Sequence, residues 1–141
     1  MTSDRLARDY LVQARGRRIA LDALMAAGVY PAVVRESQEI VELILKGALR
    51  FVGIDPPKRH DTHDIVLRFV ERFPVEWRVA MADLRERLDG LVRDRGPSFY
   101  GDEAEDIPPS ELFGEEAARQ AKAVADRLLD LYARLLGEGE P

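Results

Sequence analysis

Side-chain chemistry near neutral pH has few places to sit in this chain, because its 141 residues include two histidines and no cysteine. Both histidines fall in one stretch, Lys58-Arg59-His60-Asp61-Thr62-His63-Asp64. An imidazole titrates near neutrality and can exchange a proton with a phosphate or ribose oxygen. Two of them beside one phosphodiester suffice in principle for acid–base cleavage at a ribose 2′-hydroxyl. Lys58 and Arg59 stand just ahead of a helix start, where free backbone amides favour anions. The expected site is therefore His63 as proton-transfer group, with Lys58, Arg59, His60 and Asp64 around a phosphate. This rests on the His63 ring opening onto water beside cations. The same letters also have a plainer reading, in which Thr62-His63-Asp64 caps a short helix and Asp64 gains about 0.3–1 kcal/mol from its dipole.

Two further groups compete for a role. Arg17 and Arg18 interrupt an apolar stripe and, with Arg5, Arg8 and Arg15, make the first helix locally basic. They could contact phosphate, but the preferred reading lays their stems over the core edge with the guanidinium groups on solvent or a carboxylate. Arg95, Tyr100 and Asp102 lie in a Gly/Pro-rich stretch. There Tyr100 could stack on a base and Arg95 hold a phosphate while the loop closes over a nucleotide. Alternatively, Phe99 and Tyr100 anchor the loop to the body of the protein. The acidic run Asp102, Glu103, Glu105 and Asp106 fails calcium-loop spacing and reads as solvation, so neither a metal site nor a cofactor is expected. Glu42 and Lys46 read as an ordinary i,i+4 pair.

Composition narrows the setting. One domain over residues 1–141 is expected from the length. Without cysteine there is no disulfide scaffold, thiolate zinc site or cysteine nucleophile. A net charge of −5 argues against bulk electrostatic binding of nucleic acid, though not against a local basic patch. No apolar run reaches the roughly 18 residues that span a membrane, and no secretory leader is evident. A cytoplasmic protein is expected.

The elements that must position these residues are helical. Leu6, Ala7, Tyr10, Leu11, Ala14 and Leu21 form one stripe of a helix from about Ser3 to Ala27, with Thr2 or Ser3 as N-cap and Gly28 as its stop. A second helix starts at Pro31 and ends at Gly53; its wide apolar face marks it as central, and Gly47 permits a close neighbour. Pro56-Pro57 forces extended chain, after which Asp61 or Thr62 caps a short third helix ending at Pro74. A fourth helix spans about Val75–Arg93. Residues Asp94–Gly114 read as one long irregular, functional or mobile segment. Ala118, Ala121, Ala125, Leu128, Tyr132 and Leu135 then give a heptad seam on a last helix, Glu115–Leu136. With no two-residue alternation, the expected fold is all-α, an antiparallel up-and-down bundle of four long helices plus one short one.

The polar-headed apolar helix from Arg35, the Gly-x-x-Pro-Pro turn, the Thr62-His63-Asp64-Ile65 block and the later Arg95–Glu103 stretch, RGPSFYGDE, follow one another in an order that resembles the HEPN family (higher eukaryotes and prokaryotes nucleotide-binding). The resemblance is to its stand-alone prokaryotic members. It implies a small helical domain, a homodimer, that binds a nucleotide or RNA and acts with a separate minimal nucleotidyltransferase in a toxin–antitoxin-like pair. The chain has no acidic cage for nucleotidyl transfer, so that chemistry would fall to the partner. Many family members are metal-independent ribonucleases with an Arg-x(4–6)-His motif. Here the arginine window before His63 holds Pro56, Pro57 and Lys58, the window before His60 holds Gly53, Ile54 and Asp55, and Arg59 is one residue too close to His63. Two alternatives stand beside the binding module. One is a ribonuclease using His63 with Arg59 or Lys58, and the other a helical dimer that binds protein alone.

Overall fold

A computed structural model describes residues 4–138. Four long helices dominate it: α1 (Asp4–Ala26), α2 (Tyr30–Phe51), α4 (Val75–Asp94) and α7 (Glu115–Leu135). Between them lie α3 (His63–Arg68) with a 3-10 turn at Val70–Arg72, and two single-turn helices, α5 (Pro97–Tyr100) and α6 (Pro109–Leu112). No strand occurs among the described residues, only an isolated bridge between Asp102 and Ile107. The expected caps Thr2 and Ser3 lie outside the described residues.

The long helices alternate in direction, as an up-and-down bundle requires. Arg8 near the start of α1 donates to the Leu136 carbonyl (3.1 Å), and Asp22 near its end meets Lys122 at 3.8 Å, so α1 and α7 run antiparallel. Arg134–Glu76 and Arg127–Asp83, each 3.1 Å, do the same for α7 and α4. α2 touches all six other helices. Its buried face includes Val33, Ile40, Ile44, Leu45 and Leu49, and the neighbouring Ile44 and Leu45 widen it beyond a single stripe. The parallel diagonal pair, α2 and α7, approaches closely because Gly47 has no side chain. A Cβ there would overlap the Tyr132 hydroxyl, which instead passes over α2 and donates to the Ala7 carbonyl of α1.

Two local expectations are corrected. Thr62 occupies the N-cap position of α3, but its hydroxyl donates back to the Arg59 carbonyl (3.3 Å) rather than capping a helix amide. The segment from Asp94 to Gly114 is not one irregular loop. Pro97 and Pro109 each open a helical turn, where a missing N–H costs nothing and the fixed φ helps. The Asp102–Ile107 bridge closes the chain between those turns, with both backbone bonds made (2.8 and 3.0 Å). Gly101 makes the closure possible. It has φ +79°, and a Cβ there would run into the Ile107 carbonyl.

Candidate functional site

The histidine stretch forms a corner between α3 and α4. His63 is the first residue of α3, and Val66 one turn on is fully buried, so this face of the short helix turns inward. The ring follows it. His63 is 2% exposed, and its Nε2 lies 2.6 Å from Asp89 Oδ1 and 3.8 Å from Asp64 Oδ1. The expectation of a ring open to water beside cations is overturned. Its recorded polar partners are both carboxylates, and they, not the imidazole, face solvent, at 47% exposure for Asp64 and 57% for Asp89.

The other residues of the stretch point elsewhere. Arg59 is tied to Asp61 at 2.8 Å. His60 is half exposed and its Nδ1 lies 2.7 Å from Glu42 Oε1, while Lys46 and Gln38 donate to the same carboxylate group (3.1 and 3.3 Å). Burial acts to raise the Glu42 pKa, but these hydrogen bonds, from His60 first, outweigh it and hold the carboxyl below its ordinary value. Lys58 is exposed. Lys58, Arg59, His60 and His63 therefore do not converge on one point.

Arg95 is also turned inward. Its guanidinium donates to Glu39 (2.8 Å) and Gln38 (3.1 Å) on α2, and its carbonyl accepts from Arg35 (2.7 Å) and Ser98 (3.0 Å). Burial acts to raise the Glu39 pKa, yet the bonds from Arg95 and Arg35 hold that carboxyl low. This corrects the expected phosphate contact: Arg95 braces α2 against the α4–α5 corner. Arg17 and Arg18 likewise reach carboxylates, Arg17 to Glu36 (2.9 Å) and Arg18 to Asp22 (2.7 Å) and Asp126.

Tyr100 behaves differently. Phe113, not the Phe99–Tyr100 pair, anchors the segment, since Phe113 is buried while Phe99 and Tyr100 are 58% and 65% exposed. Their rings meet edge to face at 4.7 Å, and Arg35 covers Phe99 at 5.2 Å from its centroid. Tyr100 lines a cleft of about 590 Å³ with Arg93, Gly96 and Leu112. A second cleft of about 240 Å³, between α4 and α7, shares Arg93, Asp94 and Phe113 with it. Together they form a groove along the C-terminal half of α4. Leu91, Phe113 and Val124 supply apolar surface, Arg87, Arg93, Glu86 and Asp94 supply charge of both signs, with Arg93 3.5 Å from Asp94, and Gly90 keeps the wall low. Arg87 and Arg93 carry no sign of this role in the sequence, because α4 alternates charges along its outer face. Only the facing α7 makes two of those charges into a groove wall.

Compared with known proteins, residues 7–135 match the model of the HEPN domain, a family whose functions concern nucleotides and RNA. No curated protein and no solved structure matches. Among the described residues, no helix is long and apolar enough to cross a membrane.

Proposed function

Since this chain belongs to the HEPN family, we propose that it binds a nucleotide or an RNA end in the groove beside α4, as a homodimer that serves a separately encoded minimal nucleotidyltransferase. The observation that carries this reading is Tyr100, an exposed ring at the end of a groove that also holds Arg93 and Arg87. A base stacked on an aromatic ring contributes roughly 1–3 kcal/mol without needing a particular sequence. Arginine binds phosphate through its planar fork. The apolar surface from Leu91 and Phe113 suits a ribose or base edge. Glu86, Asp94, Asp102 and Glu103 also line the groove and Arg93 lies 3.5 Å from Asp94, so binding rests on Tyr100 stacking together with two local arginine contacts and not on net positive charge.

Calorimetry with ATP and with a short single-stranded RNA at moderate salt tests the reading. Saturable binding that weakens about tenfold in both Tyr100→Ala and Arg93→Ala is expected, in line with one lost stacking or charged contact. No heat with either ligand, in a protein that is a clean dimer, favours a purely protein-binding role. A nucleotidyltransferase that co-purifies with the chain would support the partnership.

The ribonuclease reading draws its support from His63 and Asp89, since a carboxylate at 2.6 Å orients an imidazole for proton transfer. It requires RNA to reach a nearly covered ring whose neighbouring cation Arg59 is held by Asp61. RNA cleavage that persists in EDTA and disappears in a folded His63→Ala variant would establish it.

A further inference from the structure

We infer that His63, Asp64 and Asp89 form a binding site for a divalent transition-metal ion of the zinc–manganese kind. One imidazole nitrogen and two carboxylate oxygens lie within 4.8 Å of one another. Ligand bonds of roughly 2.0–2.2 Å separate neighbouring donor atoms on one ion by about 3.0–3.5 Å. The recorded separations from His63 Nε2, 2.6 Å to Asp89 and 3.8 Å to Asp64, bracket that spacing. Small rotations of two solvent-facing carboxylates bring all three into range while the ring stays fixed.

Three features distinguish this corner from ordinary surface acidity. The nitrogen donor is held by a side chain that is 2% exposed, so its position is set by packing. The two carboxylates arrive from different elements, Asp64 from α3 and Asp89 from α4, and meet over that nitrogen. Neither is paired with arginine or lysine among the described residues, although the chain carries 21 such cations and many other carboxylates are paired. The arrangement is a cup with a buried nitrogen at its base and two charged oxygens at its rim. Two carboxylates neutralise a divalent ion when the imidazole binds as a neutral ligand. An N,O₂ set suits zinc or manganese better than magnesium or calcium, which prefer all-oxygen shells. Three protein ligands leave further positions for water. An ion on Nε2 would occupy the nitrogen that the ribonuclease reading needs, so the two are alternatives, and the α4 groove is independent of both.

Titration of the full chain with Zn²⁺ alone, followed by calorimetry, tests the site. One saturable ion per chain is expected, together with a Zn²⁺-dependent shift of the His63 ring nitrogen resonance. Asp89→Asn and Asp64→Asn should each weaken binding at least about tenfold. Asp83→Asn, an exposed carboxylate elsewhere on α4, should leave it unchanged. These variants alter solvent-facing groups and keep the imidazole that the core packs around. No saturable binding would overturn the proposal. So would binding that both site variants retain in full, or a His63 resonance that ignores the ion.

Discussion

Tyr132 shows how much one side chain can settle. It is fully buried, donates to the Ala7 carbonyl and fills the space that Gly47 leaves open, so it joins α7, α1 and α2 at a single point. Burial pushes its hydroxyl well above the ordinary phenol range, which keeps the proton on the oxygen as a donor. Replacing Tyr132 with Phe should cost about 1 kcal/mol, the net value of one buried hydrogen bond, measured by urea unfolding. Gly47→Ala should cost more, about 1–3 kcal/mol, because overpacking against a ring that cannot retreat outweighs the better helix propensity of alanine. If Gly47→Ala proved stabilising, the close contact of α2 with α7 would be wrong.

At the scale of elements, the polar head of α2 decides how the α4–α5 corner is held. Glu39 and Glu42 sit one turn apart, and both have carboxyls held below the ordinary glutamate value by the hydrogen bonds they accept. A carboxylate with a depressed folded pKa contributes stability that is complete above its unfolded pKa and is lost as pH falls through the folded one. Stability should therefore decline from about pH 4.5 downwards as these groups bind protons in the unfolded chain first. Glu39→Gln should lower stability at neutral pH and flatten that decline, as read from urea unfolding at several pH values. An unchanged acid limb in this variant would mean that Glu39 is not part of the linkage. Because Arg95 answers Glu39, Arg95→Ala should loosen α5 and move Tyr100, costing ligand affinity without touching the ligand.

For the whole molecule, the exposed apolar residues do not gather on one face. Val12 and Ile19 lie on α1, Val75 and Val79 on the N-terminal part of α4, and Phe99, Tyr100 and Leu112 beside the groove. Association through one of these surfaces leaves the others for ligand or partner. Light scattering at micromolar concentration should give a mass near twice the 15.9 kDa of one chain. A monomer would remove the homodimer from the proposal and leave the groove intact. Tyr100→Ala should not alter that mass if the groove serves a ligand rather than the dimer contact.

The architecture was legible along the chain because helical periodicity is a local property. The α2 stripe and the α7 seam each repeat over a few residues, Gly47 marks a small-residue gap within the first, and none needs knowledge of what it packs against. Family resemblance was legible for a related reason, since it rests on the order of such elements. What the side chains of the site face was not legible. His63 reads the same whether its ring meets water or Asp89, because Asp89 lies on another helix and contributes nothing to local spacing. Arg95 and Arg93 are two residues apart on the chain, yet one turns to Glu39 and the other to the groove. Helix spacing fixes which residues share a face; only the packing of α2, α4 and α7 fixes what that face meets, and chemistry depends on the second.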